Sequence, residues 1–268
     1  MRKDVAFACG EFPLSERRAC KLLSVGRSSY RYEPRADRNA ELRPALEELA
    51  RKKPQWGYRM LGEVLHKQGY AASAMRIYRL YRALGLKLRR LKKKRLIRTP
   101  AASHVIRRNQ EWAVDFVHDT LATGRGIRVL AVVDTFTREC VSLEVDSSMS
   151  GQRVTRTLEA VIQRRGLPES IRCDNGPEFT SRSFVSWCAE RNIQLHHIQP
   201  GKPMQNGHVE SFNGRLRAEC LNASWFHNLI DARVKIRAWQ QEYNGERPHS
   251  SLGGRTPNEF ASIWNPQL

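Results

Sequence analysis

The chain has 268 residues, 40% of them hydrophobic, with 46 Lys and Arg against 27 Asp and Glu, a formal charge of +19. That supports one large domain with one or two small ones, and it excludes collagen-like, coiled-coil and intrinsically disordered chains. No run of 18 apolar residues offers a transmembrane helix, the start lacks a signal-peptide stretch, and the six cysteines contain no CxxC pair. The expectation is a soluble, cytoplasmic protein with reduced thiols, no disulfide frame and no zinc site.

The charge is unevenly placed. Residues 1–110 carry 28 Lys and Arg against nine acids, whereas residues 111–268 carry 18 of each sign. A basic front joined to a neutral back points to a polyanion-binding module attached to a separate working domain.

In chain order, Ser15 caps a predicted helix bearing Ala19, Leu22 and Leu23. Ser24-Val25-Gly26 breaks it, and a second short helix starts near Ser28, the rhythm of a helix-turn-helix. Three more helix faces follow: Leu42, Leu46 and Leu49; Met60, Val64 and Leu65; and Ile77, Leu80, Tyr81 and Leu84. Then Lys87, Arg89, Arg90, Lys92, Lys93, Lys94, Arg95 and Arg98 put eight cations into twelve residues. They repel one another unless phosphates neutralise them, so the run reads as a DNA-backbone contact. From Glu111 the pattern changes to strands over 112–120, 128–135 and 140–145, a helix over 151–165 and a strand over 170–173. A helix over 184–191, a strand over 194–198 and helices over 205–221 and 227–243 complete the series. Three successive strands followed by alternating helix and strand predict an α/β fold, a mixed five-stranded sheet with flanking helices, behind a small all-helical front. The boundaries read as a helix-turn-helix-like segment over 1–38, a basic helical DNA-binding domain over 39–98 and a linker over 99–110. A sheet domain over 111–224 and a C-terminal helix and tail over 225–268 complete the division.

Three carboxylates stand out. Asp115 interrupts an apolar strand on the face of Ala113 and Val117, an expensive position without a compensating cation. Asp174 ends the fourth strand beside a Gly-Pro turn, where α/β sheets place functional groups. Glu210 lies one residue, about 100°, from Val209 on the buried stripe of its helix and can point back to the sheet. Converging carboxylates suit hard divalent cations, and two such ions can activate a hydroxyl and stabilise a leaving oxygen in phosphodiester chemistry. Asp119, Asp134 and Glu178 read as structural: a turn residue, a partner for Arg138 (with support of the site as the alternative) and a helix-start charge. His196, His197 and His208 read as core or surface residues, and Asn206 as a cap or orienting residue for the Glu210 helix.

The motifs that carry a resemblance are Trp112-Ala113-Val114-Asp115-Phe116, Cys173-Asp174-Asn175-Gly176-Pro177-Glu178-Phe179 and Gln205-Asn206-Gly207-His208-Val209-Glu210-Ser211-Phe212-Asn213. The tail Tyr243-Asn244-Gly245-Glu246-Arg247-Pro248-His249 adds to them, and 35 residues separate Asp174 from Glu210. Nearly the whole chain resembles the DDE transposases of bacterial insertion sequences, in the retroviral-integrase superfamily, and within them the second-reading-frame (OrfB) type. The resemblance implies a ribonuclease H-like core with Asp115, Asp174 and Glu210 as catalytic, metal-binding triad. It also implies two Mg2+ ions (Mn2+ as substitute) and DNA contact by Arg217, seven residues after the glutamate. The implied activity is DNA strand cleavage and strand transfer on double-stranded DNA, at element terminal repeats and target. Self-association on DNA, fusion to or partnership with the upstream reading-frame product, and a nucleoid-associated location in bacteria go with it. Nothing matches the amino-terminal His-His-Cys-Cys module of retroviral integrases. Two other functions compete: a DNA-binding regulator or inhibitor of the fused transposase, and a ribonuclease H-like nuclease without joining activity.

Overall fold

The computed structural model describes residues 1–33, 37–88, 105–199 and 207–264, and the chain divides into two compact units, 1–45 and 46–268. In the first unit, α1 (Arg2–Glu11), α2 (Glu16–Leu22) and α3 (Arg27–Arg31) pack around Val5, Ala19 and Cys20. Ser15 caps α2 as its sequence predicts. Leu22 and Leu23, expected on its packed face, are instead exposed, because the small Ala19 and Cys20 let the helices approach on the adjoining face. The Arg2 guanidinium donates to the carbonyls of Ser29 and Tyr32, and Glu16 accepts from Arg31 and Arg27.

α4 (Leu42–Lys52) is followed, within the second unit, by α5 (Tyr58–Lys67) and α6 (Ala74–Ala83). Leu61, Leu65, Ile77, Leu80 and Tyr81 are buried between them and their surroundings. Ser73 caps α6, and Lys87 is exposed just beyond it. Arg89, Arg90, Lys92, Lys93, Lys94, Arg95 and Arg98 lie outside the described residues, as does Asn206.

β1 (Glu111–Thr120), β2 (Gly126–Asp134), β3 (Cys140–Asp146), β4 (Ser170–Cys173) and β5 (Gln194–His197) form one sheet in the order β3-β2-β1-β4-β5. β1 runs antiparallel to β2 with Asp115 opposite Ala131, and parallel to β4, which runs parallel to β5. α7 (Gly151–Arg165) and α8 (Arg182–Glu190) cover one face. There Trp112, Val114, Leu130, Val132 and Ile171 meet Val154, Leu158, Phe179 and Phe184. α9 (Gly207–Leu216) and α10 (Leu229–Gly245) cover the other, where Ala113, Val117, Ala131 and Val133 meet Val209, Phe212, Leu216, Ile236, Trp239 and Tyr243. This is the mixed, doubly covered sheet of a ribonuclease H-like fold. The helix expected over 205–221 is one α-helix only to Leu216; Arg217–Leu221 continues as a π-helical turn. α11 (Pro257–Ile263) starts with a Thr256–Glu259 capping box. The α4–α6 helices are tied to this end of the chain: Lys53 pairs with Glu242, Lys67 with Glu259 at 2.6 Å, and Gly254 at φ 81 leaves room for Glu63.

Candidate active site

Asp115 sits in the middle of β1 because alternation directs Ala113, Asp115 and Val117 to the α9 face, and the two neighbours anchor the strand there. Its Oδ1 accepts the Phe116 N–H at 2.8 Å, and its Oδ2 accepts the Asn213 side-chain amide at 2.8 Å. Burial pushes its pKa up to about 6, and the charges of Asp174 and Glu210 add to the rise against those two hydrogen bonds. Residues far apart in the chain therefore share one electrostatic neighbourhood.

Asp174 follows β4 directly, so the parallel β1–β4 pairing brings its strand end beside the strand of Asp115. Its Oδ1 accepts the Gly176 N–H at 2.9 Å, closing a tight turn. A Cβ on Gly176 would stand 3.0 Å from that oxygen and 3.2 Å from the Glu178 carboxylate, so a larger residue here would displace both side chains. Asn175 donates to the Ile198 carbonyl and His197 Nδ1 lies 3.2 Å from the Asp174 carbonyl, binding the turn to the end of β5. Glu210 is exposed on the first turn of α9, whose buried Val209, Phe212 and Leu216 hold the helix on the sheet.

Two flanking features had weak or misread sequence signals. Asn213 stands three residues after Glu210, a spacing that returns to the same side of a helix. Glu178, read as a helix-start charge, lies ahead of α8 and pairs with Arg128 instead. The Arg128 guanidinium holds the Glu178 carboxyl below the usual range. It also lies 4.1 Å from the Phe116 ring centroid, and Phe116 stacks on Phe179 at 5.3 Å. The neighbours in sequence of Asp115 and the loop of Asp174 are thus braced together. Asp134, expected beside Arg138, accepts the N–H groups of Asn109, Phe136 and Thr137 and lies 3.6 Å from Arg165. The Arg138 side chain turns to His208. Arg217 donates to the His118 carbonyl at 2.9 Å, further along β1.

Among the described residues, no three His, Cys, Asp or Glu side chains stand close enough together to enclose a cation. The acids whose charges reach Asp115 are both carboxylates, and a carboxyl whose pKa is raised by burial first and by two acidic neighbours after it is relieved by a hard divalent cation. Those residues fit a magnesium-type ion and not a soft metal. Among the described residues no helix is long and apolar enough to cross a membrane.

Two integrase core domain models match residues 106–203 and 191–257, and an HTH-like domain model matches 35–94. The insertion element IS407 uncharacterized 31.7 kDa protein of Burkholderia multivorans is 44% identical over 93% of this chain and 91% of its own length. The putative transposase InsK for insertion sequence element IS150 of Escherichia coli is 24% identical over 93% of each chain. The fold is similar to that in the simian T-cell lymphotropic virus intasome, solved in complex with PP2A regulatory subunit B56 gamma. The TM-score is 0.55 at 19% identity, covering 83% of this chain and 76% of that one. With a basic helical front, a ribonuclease H-like core and relatives matched along nearly its whole length, the chain belongs to the DDE transposases of bacterial insertion sequences, polynucleotidyl transferases of the integrase-core type.

Proposed function

We propose that Asp115, Asp174 and Glu210 are the catalytic triad of DNA strand cleavage and strand transfer at the ends of an insertion element. The observation that carries this reading is the placement of the three: Asp115 in mid-β1, Asp174 at the end of the adjacent parallel β4, and Glu210 on the helix whose Asn213 bonds Asp115. The three would hold two Mg2+ ions, with Mn2+ as substitute. When bound, these supply charge neutralisation and a hydroxyl nucleophile for in-line displacement at phosphorus. The protein's own part is positional. Asn213 holds one oxygen of Asp115, the Gly176 N–H holds one of Asp174, and the Arg128–Glu178 pair keeps the loop of Asp174 against Phe116.

Water attacks in cleavage and a DNA 3′-hydroxyl in joining, so no protein nucleophile is needed. Tyr243, the tempting exception, is 2% exposed, packs at 4.9 Å against Phe212, and has its phenol pKa raised by burial. Tyr243→Phe should keep full joining activity, and a covalent DNA–protein adduct lost in that variant would overturn the mechanism.

DNA is bound by the 39–98 region, by Lys87, Arg89, Arg90, Lys92, Lys93, Lys94, Arg95 and Arg98, and by Arg217 beside the triad. Self-association on DNA and an upstream reading-frame product, as fusion or partner, complete the active assembly. A strand-transfer assay with candidate element ends, with and without the upstream product, tests the reading. Asp115→Asn, Asp174→Asn and Glu210→Gln should each abolish cleavage and joining while DNA binding stays nearly intact. Undiminished turnover in any one removes that residue from the triad.

A further inference from the structure

Arginine keeps its proton in proteins, so a half-buried guanidinium needs an anion beside it. Most half-buried arginines of the sheet unit have one: Arg165 sits on Glu139, Arg172 on Glu111, Arg128 on Glu178 and Arg247 on Glu219. Among the described residues Arg138 and Arg215 have no ion pair at contact distance; Asp134 and Glu219 act on them only from further away. Arg138, at φ 62 in the turn after β2, reaches only the ring of His208. Arg215, on the last turn of α9, donates only to the Ser211 carbonyl at 3.2 Å. Both are half-buried, and burial lowers both pKa values. No Asp or Glu occurs in 34–36, 89–104, 200–206 or 265–268, so the stretches outside the described residues hold no carboxylate side chain to neutralise them.

The two charges feel each other, and both act on Tyr243 and His249. Glu219, the nearby acid, is engaged by Arg247 through contacts of 2.6 and 2.9 Å. His249 is 5% exposed, and its Nε2 has no hydrogen-bond partner among the described residues. Burial and the three arginines hold its pKa down to about 3, so the ring is neutral and can present an N–H there. Two guanidinium groups without a contact ion pair, held at His208 and Ser211 on one side of α9, and an unpartnered buried imidazole nitrogen leave room for an anion.

We propose that Arg138 and Arg215, with His249 behind them, form a binding subsite for one backbone phosphate of DNA on the α9–α10 side of the core. Guanidinium forks match phosphate oxygens, and the family's substrate is DNA, so the anion is a phosphodiester. Arg215 is five residues beyond Glu210, about 140° round the helix and about 7.5 Å along it. The subsite therefore grips a phosphate other than the one undergoing reaction, and its occupancy does not depend on the triad assignment.

The test uses the full chain in metal-free buffer, so that it stands or falls apart from catalysis. Binding of a fluorescent duplex is measured by anisotropy across a salt series for wild type, Arg138→Gln, Arg215→Gln and Arg215→Lys, alongside thermal melting with and without duplex or potassium phosphate. Each Gln variant should lower the slope of log affinity against log salt by about 0.9, and Arg215→Lys should restore it. The free Gln variants should melt no lower than wild type, because each loses a half-buried charge that has no contact ion pair, and duplex should raise their melting temperature less. An unchanged slope, or a lower melting temperature of the free variants with an unchanged duplex response, overturns the proposal. Potassium phosphate that stabilises wild type as strongly as duplex does assigns the subsite to a free anion and overturns the DNA source.

Discussion

Residues 1–45 and the sheet unit manage burial and charge differently. In the first unit Val5, Ala19 and Cys20 form the buried cluster among the described residues, while Phe7 at 64% and Leu22 at 66% remain exposed. Its shape depends heavily on polar ties, Arg2 to backbone carbonyls and Glu16 to Arg31. The sheet unit buries two apolar layers and sets most of its half-buried arginines against acids. An ion-paired cation in the sheet unit is thus a packing element whose loss is felt as stability, whereas the ion pairs of the first unit lie at the surface, where a pair is worth little.

The sharpest way to break this contrast is Glu219→Gln, which strands the Arg247 guanidinium where both side chains are 10% exposed. A loss of about 3–5 kcal/mol is expected in denaturant unfolding. A loss as small as that of a surface pair would put the sheet unit's ion pairs on the same footing as the front's.

Next is Asp115→Asn, with the opposite sign. The folded pKa of Asp115 is raised to about 6 from the ordinary aspartate value of 3.8. The unfolded chain therefore releases its proton first as pH rises, and metal-free stability falls between about pH 4 and 6. The variant should remove that fall and gain about 2–3 kcal/mol at pH 8 relative to wild type, on the basis of 1.36 kcal/mol per pKa unit. Parallel pH–stability curves for the two proteins would remove the electrostatic strain assigned to this site.

The smallest stability effect belongs to the basic run from Lys87 to Arg98. Replacing Lys92, Lys93 and Lys94 together by Gln should change unfolding by less than about 0.5 kcal/mol. The same change should flatten the salt dependence of duplex binding by about 2.7, at 0.9 per phosphate contact. A large stability loss with an unchanged slope would mean that these lysines pack instead of binding.

Most of the sheet was legible because its strands alternate cleanly and end at turn residues: β1 through Trp112, Val114 and Phe116, and β4 at Asp174 before Gly176-Pro177. Asp115 declared itself by interrupting an apolar strand. What stayed hidden arises from pairings between distant residues, which a one-dimensional pattern does not encode. Asn213 to Asp115 and Arg128 to Glu178 are of that kind, and so is the claim of Arg165 on Asp134, where proximity in sequence favoured Arg138. The exposed Leu22 and Leu23 failed for a different reason: a unit with few apolar residues packs its smallest ones, so size misleads. The π-helical turn after Leu216 has no local signature in its sequence.

The order in which the three proposed catalytic carboxylates are synthesised has its own consequence. β1, β4 and α9 follow one another along the chain, and α9 comes after every strand of the sheet. A ribosome adding about 5–20 residues per second takes roughly 2–7 s to travel from Asp174 to Glu210. Throughout that interval a nascent polypeptide with its basic front already made can hold DNA, yet lacks one of its three acids. On the proposed assignment the triad is completed last, so a chain interrupted before α9 would carry the basic region without Glu210.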